Sequence, residues 1–263
     1  MSAHQGRAPL LNWRGAWAIF NNELMRAFRT WIGSIFSPVL TTSLYFIVFG
    51  AAIGSRINEV NGVSYGAFIV PGLLMLTLLS ESTNNASFGI YMPRFTGAIY
   101  ELLSAPVGFV ETLIGFVGAA AVKSLILATI ILVTATLFVD YQIAHPFFAL
   151  CYILLISASF SLFGFILGIW ADGWERLQIV PVLFLTPLTF LGGTFYSIEM
   201  LGEPWRTIAL VNPIVYLVNG LRWTFSGHSD VSIGVSLGMT LGFLAICVGT
   251  IAIIYRTGWR LRG

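Results

Sequence analysis

Long apolar runs, separated by short segments that carry charges or turn residues, account for most of the chain. A helix needs about 20 predominantly apolar residues to cross the hydrocarbon core of a bilayer. Six runs are suited to this role, and we place predicted spans at 32–53, 65–86, 112–139, 146–170, 178–197 and 231–255. The pattern therefore predicts an all-α membrane protein whose single transmembrane domain covers residues 1–263.

The segment before the first predicted span repeats apolar residues every three or four positions. These residues are Trp13, Trp17, Phe20, Leu24, Phe28 and Trp31. Arginines occupy other sides of the same helix, and Trp and Phe opposed to Arg are typical of a helix in the lipid headgroup region. We therefore expect an amphipathic interfacial helix over 13–30 that contacts membrane lipid. The alternative is an ordinary amphipathic helix packed on the bundle.

A shorter apolar run at 207–221 is too short to span and contains Asn212-Pro213 near its middle. Proline removes a backbone donor and biases the preceding residue away from helix, while a glycine pair permits a tight turn. We therefore expect 207–221 to dip into the membrane and return, or to lie at its surface. Our prediction is a re-entrant outer hairpin over 198–223, between the fifth and sixth spans. Its candidate structural residues are Gly192, Gly193, Asn212, Pro213, Tyr216 and Arg222.

The distribution of basic residues predicts the orientation. Four arginines precede the first predicted span and three follow the last, whereas the loop 140–145 has no Lys or Arg. Lys and Arg near span ends mark the cytoplasmic side. Both termini are therefore predicted to be cytoplasmic, which requires an even number of spans and excludes 207–221 as a seventh.

Composition excludes most other classes of protein. The chain is 57% hydrophobic and only 9% charged, whereas soluble domains carry about 25% charged residues. The net charge is +2 and the basic residues form no stripe, so we expect no nucleic-acid partner. Histidines and cysteines show no metal-site spacing. We expect no metal, no cofactor and no catalytic site in this chain.

Lys123 is the single lysine, in the sequence Ala121-Val122-Lys123-Ser124. A phosphate-binding P-loop needs a lysine after a glycine-rich turn, so this chain holds no such nucleotide site. If ATP drives its function, ATP and Mg²⁺ bind to a separate subunit.

Charged and amide residues within the apolar runs are candidates for lining a transport pathway. They are Glu81, Asn84, Asn85 and Lys123. Ionisable residues at membrane depth usually face a cavity or an ionic partner. Alternatively, Glu81 and its neighbours have reached the hydrated cytoplasmic surface. Lys123 could pair with Glu81 or Glu111, or extend to the headgroups.

The loop 87–111 faces the cytoplasm in this orientation. Residues 100–104 are predicted to form a short helix that ends before Pro106. The loop is either a docking element for a partner or a plain connection between spans.

Four motifs together resemble the ABC-2 family of transporter permeases, the membrane subunits of ATP-driven exporters. They are PGLLM at 71–75, ELLSAPV at 101–107, FLGGTFYS at 190–197, and NPIVY at 212–216 followed by Arg222. The chain departs from many members at 201–204. Those members have Leu-Pro soon after the glycine-rich turn, whereas this chain has Leu-Gly-Glu-Pro, so the outer loop is expected to differ in shape.

The resemblance implies an exporter in the bacterial inner membrane. Two copies of the chain would form the pathway, and a separate ABC ATP-binding subunit would dock below each. The family substrates include lipids, glycans and drugs, and nothing in the chain selects one. Docking is assigned by this resemblance to Tyr100, Glu101, Leu102, Leu103, Ala105 and Pro106.

Two other functions fit parts of the pattern. An ion-coupled secondary transporter would use Glu81 and Lys123 as a relay, but it should show inverted repeats, which the two halves lack. A membrane enzyme or assembly factor would need a cluster of His, Cys or carboxylate residues, and no such cluster is evident.

Cysteine labelling tests the predicted topology. In a variant lacking Cys151 and Cys247, we expect Gln5→Cys and Arg262→Cys to react only with reagent supplied from the cytoplasmic side. We expect Asn58→Cys to react from outside. Labelling of the two termini from opposite sides would contradict an even number of spans.

Overall fold

The computed structural model describes residues 12–54, 56–57, 59–105 and 107–259. The helices in chain order are α1 (Trp13–Arg29), α2 (Ser37–Tyr45), α3 (Tyr65–Thr96), α4 (Ile99–Ser104), α5 (Phe109–Ala135), α6 (Pro146–Trp170), α7 (Trp174–Val180), α8 (Thr186–Leu191), α9 (Trp205–Val211), α10 (Pro213–Ser226) and α11 (Ile233–Thr257). The π-helical segments Ile32–Phe36 and Phe46–Ala51 flank α2, Pro181–Leu185 joins α7 to α8, and a 3-10 turn covers Ile198–Met200.

Within the described residues, five helical segments are long and apolar enough to cross a membrane. They are Ile32–Gly50, Tyr65–Thr96, Val110–Ala135, Pro146–Trp170 and Ile233–Thr257. The chain is therefore a predominantly helical, multi-pass membrane protein, as predicted. The predicted span 65–86 lies within α3, which continues to Thr96.

The segment predicted as a span at 178–197 differs from the other five. The chain is helical over 174–191, but it changes from α to π geometry at Pro181 and back at Thr186. Proline has no N–H to donate, which favours such a change. Gly193, with φ of 84°, follows the helix end. The apolar helical part spans roughly 21 Å at 1.5 Å per residue, short of a full crossing.

A small β-hairpin, not expected for an all-α fold, precedes α3. Strands β1 (Glu59–Val60) and β2 (Val63–Ser64) pair antiparallel. Asn61 and Gly62 have φ of 52° and 80°, the left-handed pair that a two-residue hairpin turn requires. We call this the β1–β2 end of the bundle and the opposite one the α4 end.

Helix α3 is the centre of the bundle. Of its membrane-crossing stretch, 72% is buried, compared with 11% for Ile32–Gly50 and 22% for α11. It packs against α5, α6 and α10 in one apolar core. A helix that is apolar on all sides is stable only when other helices or lipid cover it. Other helices cover α3, whereas α11 lies at the periphery with most of its surface exposed.

Helices α3 and α6 approach each other closely enough for backbone contact. A Cβ on Gly164 would lie 2.3 Å from the Thr83 carbonyl oxygen, and one on Gly168 would lie 2.4 Å from the Ser87 carbonyl oxygen. Glycines four residues apart remove side chains from one stripe of a membrane helix and allow this approach. The pair is therefore a steric requirement of the α3–α6 interface.

Polar contacts secure the same interface at two levels. Arg94 of α3 donates from Nη1 to the carbonyl oxygens of Gly168 at 2.8 Å and Ile169 at 2.5 Å, in the last turn of α6. Carbonyls at a helix C-terminus lack intrahelical partners and attract cations. Deeper in the bundle, Ser82 Oγ lies 3.0 Å from Ser124 Oγ of α5 and 3.2 Å from Ser157 Oγ of α6.

Helix α1 has two distinct faces. Ala16, Glu23 and Ala27 are buried against the bundle, where α1 packs beside α5. The aromatic side chains Trp13, Trp17 and Phe28 on an adjacent face remain exposed in the described structure, as does Trp31 just beyond the helix end. Helix α1 is thus packed on the bundle and also presents an aromatic face of the kind that enters lipid headgroups.

Gly164→Ala tests the α3–α6 interface. The added methyl would collide with the Thr83 backbone, so we expect the apparent melting temperature of the detergent-purified protein to fall by roughly 3–10 °C. The matched control is Gly242→Ala in α11, where a Cβ meets nothing within 4 Å. That change should be neutral or slightly stabilising. Equal melting temperatures for the two variants would contradict a steric role for Gly164.

Candidate functional site

A polar cleft of about 270 Å³ lies between the first helical segment, α3 and α8. Its walls are Gly33, Ser37, Pro38, Thr41, Thr42 and Tyr45 from 32–51, Leu76, Thr77, Ser80 and Glu81 from α3, and Thr186 and Phe190 from α8. Most of these side chains carry a hydroxyl or a carboxylate. Most of those from the two long segments lie near the middle of Ile32–Gly50 and Tyr65–Thr96, which are long and apolar enough to cross a membrane. We call this site the polar cleft.

Hydroxyl contacts join two walls of the polar cleft. Thr42 Oγ1 and Thr77 Oγ1 lie 3.1 Å apart. Each hydroxyl is also within hydrogen-bonding distance of a carbonyl one turn earlier, Pro38 at 2.8 Å and Leu73 at 3.0 Å. These local bonds let threonine remain inside a membrane helix without an unsatisfied hydroxyl. The contact holds the first helical segment against α3.

Glu81 and Lys123 form an ion pair between α3 and α5. Lys123 Nζ donates to Glu81 Oε2 at 3.1 Å, and the two side chains are 6% and 20% exposed, respectively. Glu111 is elsewhere, accepting from the Asn12 backbone N–H at 2.9 Å. Of the possibilities for Lys123, the structure has the pair with Glu81. Glu81 lines the polar cleft, and Lys123, which is not part of the cleft wall, pairs with its carboxylate from α5.

The two predicted pathway asparagines lie one turn beyond Glu81, outside the walls of the polar cleft. Arg26 of α1 donates from Nη2 to the Asn85 backbone oxygen at 3.0 Å and to Asn85 Oδ1 at 3.3 Å. Arg26 also pairs with buried Glu23 at 2.6 Å. Asn85 therefore anchors α1 to α3. Asn84 Oδ1 is buried and has no hydrogen-bond partner among the described residues.

The predicted docking segment forms a short helix, α4, at the α4 end. Ile99 is buried against the bundle, Tyr100 is 59% exposed, and Ala105 is half-buried. The side chains of Glu101, Leu102 and Leu103, and the whole of Pro106, lie outside the described residues.

The predicted outer hairpin turns at Asn212. The Asn212 amide donates to the Leu188 carbonyl at 2.6 Å, and its oxygen accepts from the Ile214 N–H at 3.0 Å, capping α10. Pro213 occupies the first turn of α10, where its missing N–H costs nothing. Tyr216 Oη donates to the Leu210 carbonyl at 2.8 Å. These bonds fix α9 and α10 as a bent pair against α8.

Arg222 holds the outer hairpin to the rest of the bundle. Its side chain is 2% exposed and donates from Nη2 to the Gly193 carbonyl at 2.5 Å. The guanidinium carbon lies 4.0 Å from the centre of the Phe68 ring of α3. Nη1 lies 3.8 Å from Asp230 Oδ2, before α11. One residue thus contacts the glycine turn, α3 and the α10–α11 connection.

Several structurally important residues were not singled out from the sequence. Gly164 and Gly168 carry the signal of two glycines four apart in an apolar run, which could have identified them. The Asn61-Gly62 dipeptide was a direct hairpin signal. Arg94 and Asp230 carry no local signal, because their partners lie on other helices. Among the described residues, no group of three His, Cys, Asp or Glu side chains comes together to hold a metal.

Comparisons with known proteins find similar membrane proteins over most of the chain. The family described as ABC-2 type transporter matches residues 14–226. The inner membrane transport permease YadH of Escherichia coli strain K12 is 36% identical over 234 residues, covering 89% of this chain and 91% of the relative. Nodulation protein J of Rhizobium leguminosarum bv. viciae is 23% identical over 244 residues, covering 90% of each.

Substitutions at the ion pair test whether Glu81 depends on Lys123. Lys123→Met leaves the partly exposed Glu81 carboxylate without its ionic partner, so we expect a loss of about 1–3 kcal/mol of stability. Adding Glu81→Gln should restore most of the loss. The control is Arg176→Met, whose pair with Asp172 is 58% and 47% exposed; this change should have almost no effect. Additive losses in the double variant, measured by thermal unfolding, would show that the two groups are energetically independent.

Proposed function

This chain belongs to the ABC-2 type transporter family, as its motifs predicted, and we propose that it is the membrane subunit of an ATP-driven exporter. Transport is the function of the family. We further propose that two copies form the substrate pathway and that a separate ABC subunit supplies ATP hydrolysis. The relative YadH is named an inner membrane permease, which supports the bacterial inner membrane as the location.

The polar cleft is the observation that carries the proposal. Hydroxyl side chains at membrane depth offer hydrogen bonds that lipid does not. Placing them there costs free energy, and such residues mark the path of a polar molecule through the membrane. The adjoining segment Ile32–Gly50 is only 11% buried. Its exposed apolar residues include Phe36, Leu40, Leu44 and Ile47. A second copy packed on this face would close the polar cleft into a pathway.

The proposed topology has six crossings with both termini in the cytoplasm. Five crossings use the long helical segments, and the sixth uses 178–197, whose last part is not helical. Non-helical backbone is tolerated at membrane depth where protein covers it. Thr194, Ser197 and Ile198 are at most 1% exposed, and the Gly193 carbonyl accepts from Arg222. Residues 198–223 then form the re-entrant outer hairpin.

The α4 end is the proposed docking surface for the ATP-binding subunit. Helix α4 connects α3 and α5 on the side assigned to the cytoplasm. Helix α1 is tied to α3 by Arg26 and Asn85, about three turns before α3 ends. Nucleotide-driven movement of α4 would therefore reach α3 directly. The aromatic face of α1 is proposed to lie in the cytoplasmic headgroups.

An ion-coupled secondary transporter is the second candidate, because the Glu81–Lys123 pair beside the polar cleft could exchange a proton or ion. The two functions differ in their energy source. Transport by the reconstituted complex should require ATP and persist without an ion gradient if the ABC proposal is correct.

Replacing Leu102 and Leu103 by Asp tests the docking proposal. A small interface concentrates its energy in a few buried apolar anchors, so we expect co-purification of the ATP-binding subunit to fall by about tenfold or more. Glu101→Lys should act more mildly. A matched adjacent pair, Phe147 and Phe148, is 71% and 51% exposed at the start of α6. Its double Asp variant should bind the ATP-binding subunit normally, because α6 starts at the β1–β2 end, opposite the proposed docking surface.

Monodisperse elution of each variant from detergent shows that it has inserted and folded. If the Leu102 and Leu103 variant still co-purifies with the ATP-binding subunit and supports its ATPase stimulation, docking occurs elsewhere and 87–111 is a plain connection.

A further inference from the structure

A second cavity, of about 620 Å³, lies at the β1–β2 end of the bundle. It opens between the start of α3, the connection between α5 and α6, and the end of α10. Its walls are Val63, Ser64, Ala67, Phe68, Pro71, Asp140, Tyr141, Gln142, Ala144, Arg222, Phe225 and Ser226. We call it the outer cavity. It shares no residue with the polar cleft and has no part in the function proposed above.

Arg222 is the buried charge in the wall of the outer cavity. Nη2 donates to Gly193, but neither Nε nor Nη1 donates a hydrogen bond to any described residue. The distance of 3.8 Å from Nη1 to Asp230 Oδ2 is too long for a hydrogen bond. A buried guanidinium with two unused donors is costly, and such donors normally have an acceptor.

The nearby carboxylate does not serve as that acceptor. Asp230 Oδ2 accepts from the Ile198 N–H at 2.8 Å, and Oδ1 accepts from Asn61 Nδ2 at 3.3 Å. The Asp230 N–H in turn donates to Asn219 Oδ1 at 3.0 Å. Asp230 is therefore held by these groups at its distance from Arg222, and the unused donor capacity of Arg222 remains.

Other groups in the wall suit a ligand with oxygen acceptors and an apolar part. Ser64 Oγ accepts from the Ala67 N–H at 3.3 Å, which leaves its own proton free to donate. The exposed Gln142 side chain carries two further N–H donors. Burial raises the pKa of the Tyr141 phenol, which stays neutral and donates to the Leu132 carbonyl at 2.9 Å. Phe68 and Phe225 supply apolar wall.

The outer cavity lies where the membrane-crossing helices begin and end. Helix α3 starts at Tyr65, α5 ends at Ala135 and α6 starts at Pro146, all at this end of the bundle. The ends of spanning helices lie near the level of lipid headgroups. A phosphate at this level would therefore be within reach of the cavity.

We propose that the outer cavity is a binding site for a phosphate group, with Arg222 as its principal donor and Ser64 and Gln142 as secondary donors. Guanidinium groups match the geometry of phosphate oxygens and bind them through charge-assisted hydrogen bonds. The phosphate can belong to a lipid headgroup or be free in solution. The site requires neither transport nor an ATP-binding subunit.

The exposed carboxylate of Asp140 makes the sign of the ligand testable. Removing this charge by Asp140→Asn should favour a negative ligand and disfavour a positive one. The substitution is at the cavity rim, outside the buried network of Arg222, so the protein should remain folded.

Binding is measured on the full chain in neutral detergent, by thermal unfolding and intrinsic tryptophan fluorescence. The probes are sodium phosphate, short-chain phosphatidylglycerol and sodium chloride at equal ionic strength. We expect stabilisation by a phosphate-bearing probe but not by chloride. A response to phosphatidylglycerol alone identifies a lipid headgroup, and a response to both identifies a general phosphate site.

Arg222→Gln should raise the Kd by about tenfold or more, as expected for loss of a charge-assisted hydrogen bond. The control Arg206→Gln, on exposed α9, should leave the Kd unchanged. Asp140→Asn should lower the Kd by about two- to fivefold. If Arg222→Gln fails to fold, the Kd of Asp140→Asn decides whether the cavity binds a negatively charged ligand. An unchanged or weaker affinity in Asp140→Asn, or no response to either phosphate probe, would overturn the proposal.

Discussion

The close approach of α3 and α6 is the constraint on which the rest of the bundle depends. At Gly164 and Gly168 the two backbones touch, so neither helix can shift along the other without a collision. Because α3 is surrounded by other helices, this contact also sets where its remaining faces point. One of those faces carries Thr77, Ser80 and Glu81 into the polar cleft. The position of the candidate pathway therefore depends on how α3 packs against α6.

Charged groups inside the bundle act as links between helices. Glu81 with Lys123 joins α3 to α5, Arg26 with Asn85 joins α1 to α3, and Arg222 joins α10 to α3 and to the residues before α11. Buried ion pairs contribute little net stability, because desolvation offsets their attraction. Their effect is to favour one arrangement, since any other leaves a charge unpaired in the membrane.

Helix α3 connects the two ends of the protein at which we place function. It extends from the β1–β2 end, where Phe68 contacts Arg222, to the α4 end, where Arg94 caps α6. The polar cleft lies between these points.

The sequence by itself determined the membrane class, the family and the approximate positions of the apolar helices, because lipid requires long uninterrupted apolar runs. It also indicated the turn at Asn212-Pro213, because proline and glycine constrain the backbone locally. Only the tertiary structure decided that Lys123 pairs with Glu81 rather than Glu111, that Asn85 binds Arg26 instead of lining the polar cleft, and that Arg222 reaches Gly193 and Phe68. Those outcomes depend on which helix faces meet, and apolar helices that look alike in sequence give no local signal of their neighbours.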